Sequence, residues 1–393
     1  MKILLAHNQY QQPGGEDQSV AAEIAMLEAF GHQVIQYRVH NDAIRGMSRV
    51  GVAARTLWNR TSYAELSQII ADQRPDVAHF NNTFPLISPA AYYAARRAGV
   101  PVIQTLRNFR LLCPNAYLLR QQQICEQCLG RRLAWPSVVH ACYRDDRAAT
   151  AVVAGMLFTH RMLGTWHKAV DVYIALTEFG RQTFVRGGLP AEKIVVKPNF
   201  VYPDPGPGSG QGGYAIFVGR LSDEKGLQTL LQAWSILEGD VPLKIVGDGP
   251  LRPQVQAAAA RDPRLTWLGQ RSPGEVTQLM ADAACLVFPS LWYEGLPRTI
   301  IEAYAVGTPV VGSQLGAMRE LIVPQRTGQH FPPGDHQQLA AVVRDLWLAP
   351  ERLQALRTGA RQEFENKYRY QTNYEQLIAI YQSALAHGNR NPR

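Results

Sequence analysis

YAIFVGRLSDEKGLQTLLQAW, residues 214–234, decides the fold of this chain. Tyr214 to Val218 is an apolar run of strand length. Gly219 and Gly226 bracket a polar turn, and Leu227, Leu230, Leu231 and Trp234 then recur at helical spacing. A buried strand, a glycine turn and an amphipathic helix form the unit from which parallel sheets are wound. Downstream the same grammar continues. Leu243–Val246, Leu265–Leu268, Cys285–Pro289 and Pro309–Gly312 read as strands, and Pro297–Ala305 as a helix. Upstream it also holds. Ile3–Ala6 is a strand, the loop His7–Gly15 follows, and a helix from about Glu16 carries Val20, Ile24, Leu27 and Phe30 before Gly31 stops it. Val34–Tyr37, Asp76–Phe80, Val102–Thr105, Val172–Leu176 and Ile194–Val196 are further strands, with a helix through Phe179–Val185.

The expected class is α/β, with two doubly wound, Rossmann-like domains facing each other across a cleft. PDPGPGSGQGG, residues 203–213, has no apolar residue that could join a core and reads as the linker. The expected division is 1–202 for an acceptor-side domain with an insertion at about 107–147, then 203–213 for the linker and 214–370 for the second domain. A C-terminal helix at 371–393, with Tyr374, Leu377, Ile378 and Tyr381 on one face, could pack back on the first domain. In open parallel sheets ligands sit beyond the carboxyl ends of the strands, so two domains imply two substrates.

With 393 residues, 46% hydrophobic and 18% charged, the composition excludes disorder, collagen and coiled coil. No apolar run reaches the roughly 18 residues of a membrane span. The chain begins directly on a strand, so no signal peptide is expected and the expected location is the cytoplasm, with the inner face of the cell membrane open. Net charge is +8, and its distribution is uneven. Up to Gly213 there are 22 Lys/Arg against 15 Asp/Glu; beyond it, 18 against 17. The excess suits an anionic partner, or simply an Arg-rich solvated surface.

Three motifs carry chemistry. Gly219-Arg220-Leu221-Ser222-Asp223-Glu224-Lys225-Gly226 offers two cations and a helix start to a phosphate or diphosphate, although a capped turn with surface charges would look the same. Gly247-Asp248-Gly249-Pro250 is a second glycine turn, but Arg252 breaks G-x-G-x-x-G, so a dinucleotide fingerprint is not supported. Glu294 and Glu302 are eight residues apart, about 12 Å along an ideal helix, so they suit opposite ends of one elongated ligand. The backbone at Gly295 and Leu296 lies between them. A carboxylate accepts from sugar hydroxyls; backbone N–H groups donate to phosphate.

These motifs, in this order, resemble the GT-B glycosyltransferases of the retaining family 4. The likeness covers nearly the whole chain and is most specific in the second half. It extends to Gly14-Gly15-Glu16, Leu176-Thr177-Glu178 and Lys197-Pro198-Asn199. The resemblance implies that Arg220 and Lys225 grip the diphosphate of a nucleotide-sugar donor. It implies that Glu302 holds the ribose, Glu294 the transferred sugar, and that Gly219 and Gly247 belong to the nucleotide pocket. It also implies that Gly14 and Gly15 let the first loop approach the donor phosphate and the acceptor, beside Glu16. Charge developing on a departing diphosphate would be met by an Arg, a Lys and a helix N-terminus. No D-x-D triplet occurs, so transfer without a metal or other cofactor is expected. The implied reaction is retaining transfer of a sugar to a glycan or lipid-linked acceptor, in bacterial cell-surface or exopolysaccharide biosynthesis. One departure concerns Arg107, which stands where relatives often carry a His; it could contact an acceptor phosphate but cannot act as a base. His79 reads as a buried structural residue.

Cys285 lies in an apolar strand. Cys113, Cys125, Cys128 and Cys142 cluster as C-x₁₁-C-x₂-C-x₁₃-C inside the Arg-rich insertion. A structural zinc, packed reduced thiols and redox disulfides are all compatible with this spacing. The insertion also interleaves Arg107, Arg110, Arg120, Arg131, Arg132, Arg144 and Arg147 with Leu118, Leu119 and Trp135, which suits an anionic membrane face or a lid over the acceptor. Rival readings are a nucleotide-sugar 2-epimerase, a zinc-bearing nucleic-acid binder, and an inactive GT-B scaffold. The second leaves the whole C-terminal half unexplained, and nucleic acid is not an expected partner.

Overall fold

The computed structural model describes residues 1–11 and 14–390. The expected loop His7–Gly15 therefore falls partly outside the described residues, as does the end of the expected C-terminal helix. The chain forms two units, one from residues 1–118, 125–199 and 373 onward, the other from 119–124 and 200–372.

In chain order the strands are β1 (Lys2–Gln9), β2 (Gln33–His40), β3 (Val77–Phe80) and β4 (Val102–Leu106). The two-residue arms of a hairpin follow, β5 (Leu119–Arg120) and β6 (Gln123–Ile124), then β7 (Val172–Ala175) and β8 (Ile194–Val196). The first unit's sheet has the order β2-β1-β3-β4-β7-β8, and every ladder is parallel. The direction of winding reverses between β1 and β3, which makes their carboxyl ends the ligand crevice of that sheet. Ile3, Leu4, Leu5, Val77, Ala78, Val102 and Ile103 are fully buried, as a sheet covered on both faces requires.

The second unit repeats the plan with β9 (Ala215–Val218), β10 (Leu243–Val246), β11 (Leu265–Gly269), β12 (Cys285–Phe288), β13 (Val310–Ser313) and β14 (Gly328–Phe331). Their order is β11-β10-β9-β12-β13-β14, all parallel, with the reversal between β9 and β12. The β9/β12 ladder holds only Cys285↔Ala215 and Leu286↔Ile216, so the two strands are unpaired toward their carboxyl ends. Phe217, Leu230, Trp234, Val287 and Phe331 meet in the core beneath.

The expected linker, 203–213, packs against the second unit. Gly208 N–H donates to the Val306 carbonyl (2.9 Å), Gly210 to Ala281 (3.0 Å) and Gly212 to Asp282 (2.8 Å). The buried Arg357 guanidinium donates to the carbonyls of Gly208 and Ala283, both at 2.9 Å. A Cβ on Gly208 would stand 2.3 Å from the Ala281 carbonyl oxygen, so the glycines permit close approach rather than slack. The last helix, Tyr370–Arg390, supplies the first unit with Asn373, Leu377 and Tyr381, all buried, and Tyr374 stacks on Phe30 at 3.7 Å between ring centroids.

Candidate active site

In the second unit the GRLSDEKG turn leaves β9 and the loop 289–297 leaves β12, so both emerge at the reversal point of the sheet. They are held together by backbone: Leu291 N–H donates to the Glu224 carbonyl at 2.9 Å. Gly226 has φ +72°, and a Cβ there would lie 1.8 Å from the Pro289 carbonyl oxygen. Glu294 is 7% exposed, and three donors converge on its Oε1. Lys225 Nζ lies at 2.7 Å, Ser290 Oγ at 2.9 Å and Trp292 Nε1 at 2.6 Å. A carboxylate has two acceptor oxygens, so Glu294 retains acceptor capacity beyond the donors on Oε1. The Lys225 ammonium also stands 5.1 Å from the centre of the Trp292 ring, a cation–π distance.

The other expected donor-site residues of this unit lie on the turns after β9 and β10, on the loop 289–297 and on the helix that follows it. Arg220 is exposed on the same turn. Glu302 lies within the helix Arg298–Ala305 and pairs with Arg298 one turn back (2.9 Å). Gly247, with φ +135°, would place a Cβ 1.9 Å from the Gly219 carbonyl oxygen. The GDGP and GRLS turns thus need glycine for their mutual packing, whatever else they touch. Gly295 and Leu296 lead from Glu294 into the helix Arg298–Ala305, and Leu296 is buried. Ser290 and Trp292 went unnoticed in the sequence; their nearness to Glu294 in S-L-W-Y-E was the available signal.

In the first unit, polar residues crowd the crevice at β1, β3 and β4. Asp17 accepts from the Gly14 N–H (3.0 Å) and pairs with His7 at 2.8 Å. Burial opposes ionisation of Asp17, but these hydrogen bonds hold its carboxyl below the usual range. Glu16 Oε2 accepts from the Tyr10 hydroxyl (3.0 Å) and from Asn108 (3.3 Å), while burial raises its carboxyl above the usual range. Gly15 opens the helix Gly15–Ala29 beside them.

Arg107, expected as an acceptor contact, points into the protein. Its side chain is 3% exposed. Nε donates to Asn81 Oδ1 (2.7 Å) and Nη1 to Asn199 Oδ1 (2.8 Å), with Nη2 3.7 Å from Glu23. Glu23 is the hub, because Lys197 Nζ (3.8 Å) and His79 Nδ1 (3.3 Å) also face it. Lys197 in turn donates to Asn373 at 2.6 Å. Burial works against the charge on Glu23, but His79, Lys197 and Arg107 keep its carboxyl low. Burial likewise pulls Lys197 down to about 8 and His79 to about 4. Sequence reading missed Glu23, although it lies on the helix face of Val20 and Leu27, where a carboxylate needs buried partners.

His79 is fully buried, shared between Tyr381 Oη (2.8 Å) and Thr105 Oγ1 (2.7 Å), with Glu23, Arg107 and Lys197 as its charged neighbours. It stays neutral in the folded chain down to about pH 4, while the unfolded chain protonates it near 6.5. Between those values the unfolded state holds more protons, so stability falls as pH drops, by on the order of 3 kcal/mol. Denaturant midpoints between pH 6.5 and 4 should show this slope, and a His79→Asn variant should flatten it. An unchanged slope in the variant would assign the effect elsewhere.

The five cysteines are free thiols, with Cys113, Cys128 and Cys285 buried and Cys125 and Cys142 half-buried. Burial raises the Cys128 thiol to about 11, and Cys113, Cys125 and Cys142 are near enough to act on it. Even so, among the described residues no three His, Cys, Asp or Glu side chains gather as metal ligands. Cys113 instead donates to Asn115 Oδ1 (3.0 Å), and Cys128 packs with Ala134 and Ala154.

Residues 212–348 match the family described as glycosyl transferases group 1, and residues 14–199 match the glycosyl transferase 4-like domain. An amylovoran biosynthesis glycosyltransferase of Erwinia amylovora is 28% identical over 53% of this chain and 56% of its own length. A GDP-mannose-dependent alpha-mannosyltransferase of Mycobacterium tuberculosis is 28% identical over 61% of this chain and 66% of its own. The chain spans about half the length of the curated relatives it matches. Among solved structures, an Anabaena protein in complex with UDP superposes with a TM-score of 0.70 at 19% identity, covering 98% of this chain and 100% of that one. Sucrose-phosphate synthase from Thermosynechococcus elongatus gives 0.72 at 16% identity, covering 98% and 99%. At these identities the likeness is one of fold: two Rossmann-like domains of the GT-B kind.

Proposed function

Since the chain belongs to the group 1 glycosyltransferases, with a 4-like domain in its first half, we propose that it transfers a sugar from a nucleotide-diphosphate sugar to a glycan or lipid-linked acceptor. The observation that carries this reading is Glu294, with three donors on Oε1 and Lys225 among them, at the reversal point of the second sheet. In this reading Glu294 Oε2 accepts from a hydroxyl of the transferred sugar. Lys225, whose ammonium has protons beyond the one given to Glu294, and Arg220 meet the diphosphate. Their charge stabilises the leaving group as its bond to the sugar breaks, so no divalent metal is required. Glu302 serves the ribose, and the backbone near Gly219, Gly247, Gly295 and Leu296 surrounds the nucleotide. On the acceptor side Gly14, Gly15 and Glu16 flank the incoming hydroxyl, while Arg107 holds Asn81 and Asn199 in place. Transfer proceeds with retention, the acceptor attacking from the face the diphosphate leaves. The proposed setting is bacterial surface or exopolysaccharide synthesis in the cytoplasm, and the relative named for amylovoran biosynthesis supports the biosynthetic role.

A thermal-shift panel of UDP-, GDP- and ADP-sugars tests the reading. One donor class should raise the unfolding temperature, with or without EDTA. Arg220→Ala should weaken that donor by roughly tenfold, the worth of one charge-assisted phosphate contact. No shift with any donor would refute the proposal, and a shift abolished by EDTA would refute metal-independent binding.

A further inference from the structure

Large apolar side chains exposed to solvent are concentrated in one part of the first unit. Of the fifteen such residues among the described ones, six lie between 133 and 163: Leu133, Trp135, Val139, Phe158, Met162 and Leu163. Trp135 and Val139 are each 53% exposed, Met162 61% and Leu163 54%. They come from three consecutive pieces of chain that pack together. Trp135 and Val139 are four apart on the helix Trp135–Val139, so they share its outer face, while Pro136 and Ser137 are buried. Phe158 and Met162 are likewise four apart on the helix Arg147–Met162.

The pieces are joined by polar bonds. Arg161 donates from one guanidinium nitrogen to the carbonyls of Arg131 and Arg132, which brings Met162 and Leu163 beside the stretch that leads to Leu133. Arg131 stands 5.6 Å from the centre of the Trp135 ring. Arg186 makes a bidentate pair with Glu126 at 2.9 and 3.1 Å, which uses the acidic side chain closest in sequence to Arg131. The patch is thus a fixed part of the fold. Arg131 and Arg132 are exposed on its border, and Arg144, Arg147 and Lys168 are exposed on the same elements or next to them.

We infer that this surface docks on an anionic lipid bilayer, with Leu133, Trp135, Val139, Met162 and Leu163 entering the headgroup region and the arginines meeting lipid phosphates. A patch of this kind on a soluble domain marks an interaction site. Its apolar centre with an arginine border matches the chemistry of a charged interface over hydrocarbon, and Trp is the side chain best suited to that depth. A second copy would set arginine border against arginine border, which disfavours a symmetric dimer. Nucleic acid has no use for exposed Leu, Val and Met. The inference deepens the proposed function by placing the enzyme where a lipid-linked acceptor would be found, but it does not need turnover to be read.

The test is co-flotation of the full chain with vesicles of phosphatidylcholine alone and with vesicles rich in phosphatidylglycerol. Wild type should float with the second and not the first, and should release as salt rises. Reversing two border charges, Arg131→Glu with Arg132→Glu, should weaken binding by roughly 30-fold or more, on about 1 kcal/mol per basic residue near the surface. Trp135→Gln should also release the protein. Both variants alter exposed positions, so their unfolding temperatures should match wild type. Equal binding to both vesicles, binding to neither, or binding unchanged in the variants would overturn the inference. So would a wild-type dimer that Trp135→Gln disperses, which would assign the patch to a second copy. Donor-induced thermal shifts in the same variants keep the two readings apart, because lost flotation with an intact donor shift concerns the patch alone.

Discussion

Glu294→Gln should lower nucleotide-sugar turnover by about 10²–10³-fold while leaving the fold intact, the range seen when one preorganised electrostatic group is removed from a transition state. The substitution keeps size and shape. An amide oxygen can still accept from Lys225, Ser290 and Trp292, so the loop 289–297 has no reason to move. What is lost is the negative charge opposite Lys225 and the second acceptor oxygen, because the amide presents a donor where Oε2 stood. A sugar hydroxyl that gave its proton to Oε2 would face N–H groups instead. Lys225 is partly exposed and can rehydrate, so the stability loss should stay near 1 kcal/mol. Steady-state release of nucleotide from the donor identified by thermal shift, with and without an acceptor extract, measures the effect. A kcat/KM within threefold of wild type would remove Glu294 from the reaction.

Gly226→Ala should be among the most damaging single methyls in the second unit, costing about 3–5 kcal/mol and abolishing donor binding. Two costs combine. The residue has φ +72°, which an L side chain occupies at roughly 1 kcal/mol. The added Cβ would also stand 1.8 Å from the carbonyl oxygen and 2.6 Å from the carbonyl carbon of Pro289, so backbone must shift, the kind of overpacking that costs a few kcal/mol. The shift would be felt at the site, because Leu291 N–H donates to the Glu224 carbonyl and the neighbouring Ser290 Oγ donates to Glu294. Gly274→Ala is the control. It lies in the helix Pro273–Asp282 with nothing within 4 Å of its Cβ, and should be neutral or stabilise by up to about 1 kcal/mol. Denaturant midpoints and donor affinity for both variants check the pair. Equal stability in the two would refute the close approach of the two loops.

Much of this was legible in the order of residues. Strand, glycine turn and helix follow from periodicity and turn chemistry that act within a few positions. Both wound sheets and the placing of Lys225 and Glu294 on loops at strand ends therefore emerged from the sequence. The resemblance to family-4 enzymes rested on the same local motifs, and the family matches agree with it.

What stayed hidden was partnership between distant residues. Lys225 and Glu294 are 69 positions apart, Lys197 and Asn373 176, His79 and Tyr381 302. Such pairs exist only because the strands assemble out of chain order and the last helix returns to the first unit. No local pattern could distinguish an Arg107 that reaches a substrate from one buried between Asn81, Asn199 and Glu23. The glycine-rich stretch 203–213 shows a related limit, since composition measures what a segment can do alone and not the surface of Arg357 and Ala281 beside it. The cysteine spacing likewise could not tell that Cys113 and Cys128 are buried while Cys125 and Cys142 are half-buried. The sequence by itself determined the architecture, the positions of its turns and the chemical types at their tips. The tertiary structure decided which of those side chains face one another, because burial makes each charge and donor choose a partner from whatever the fold brings near.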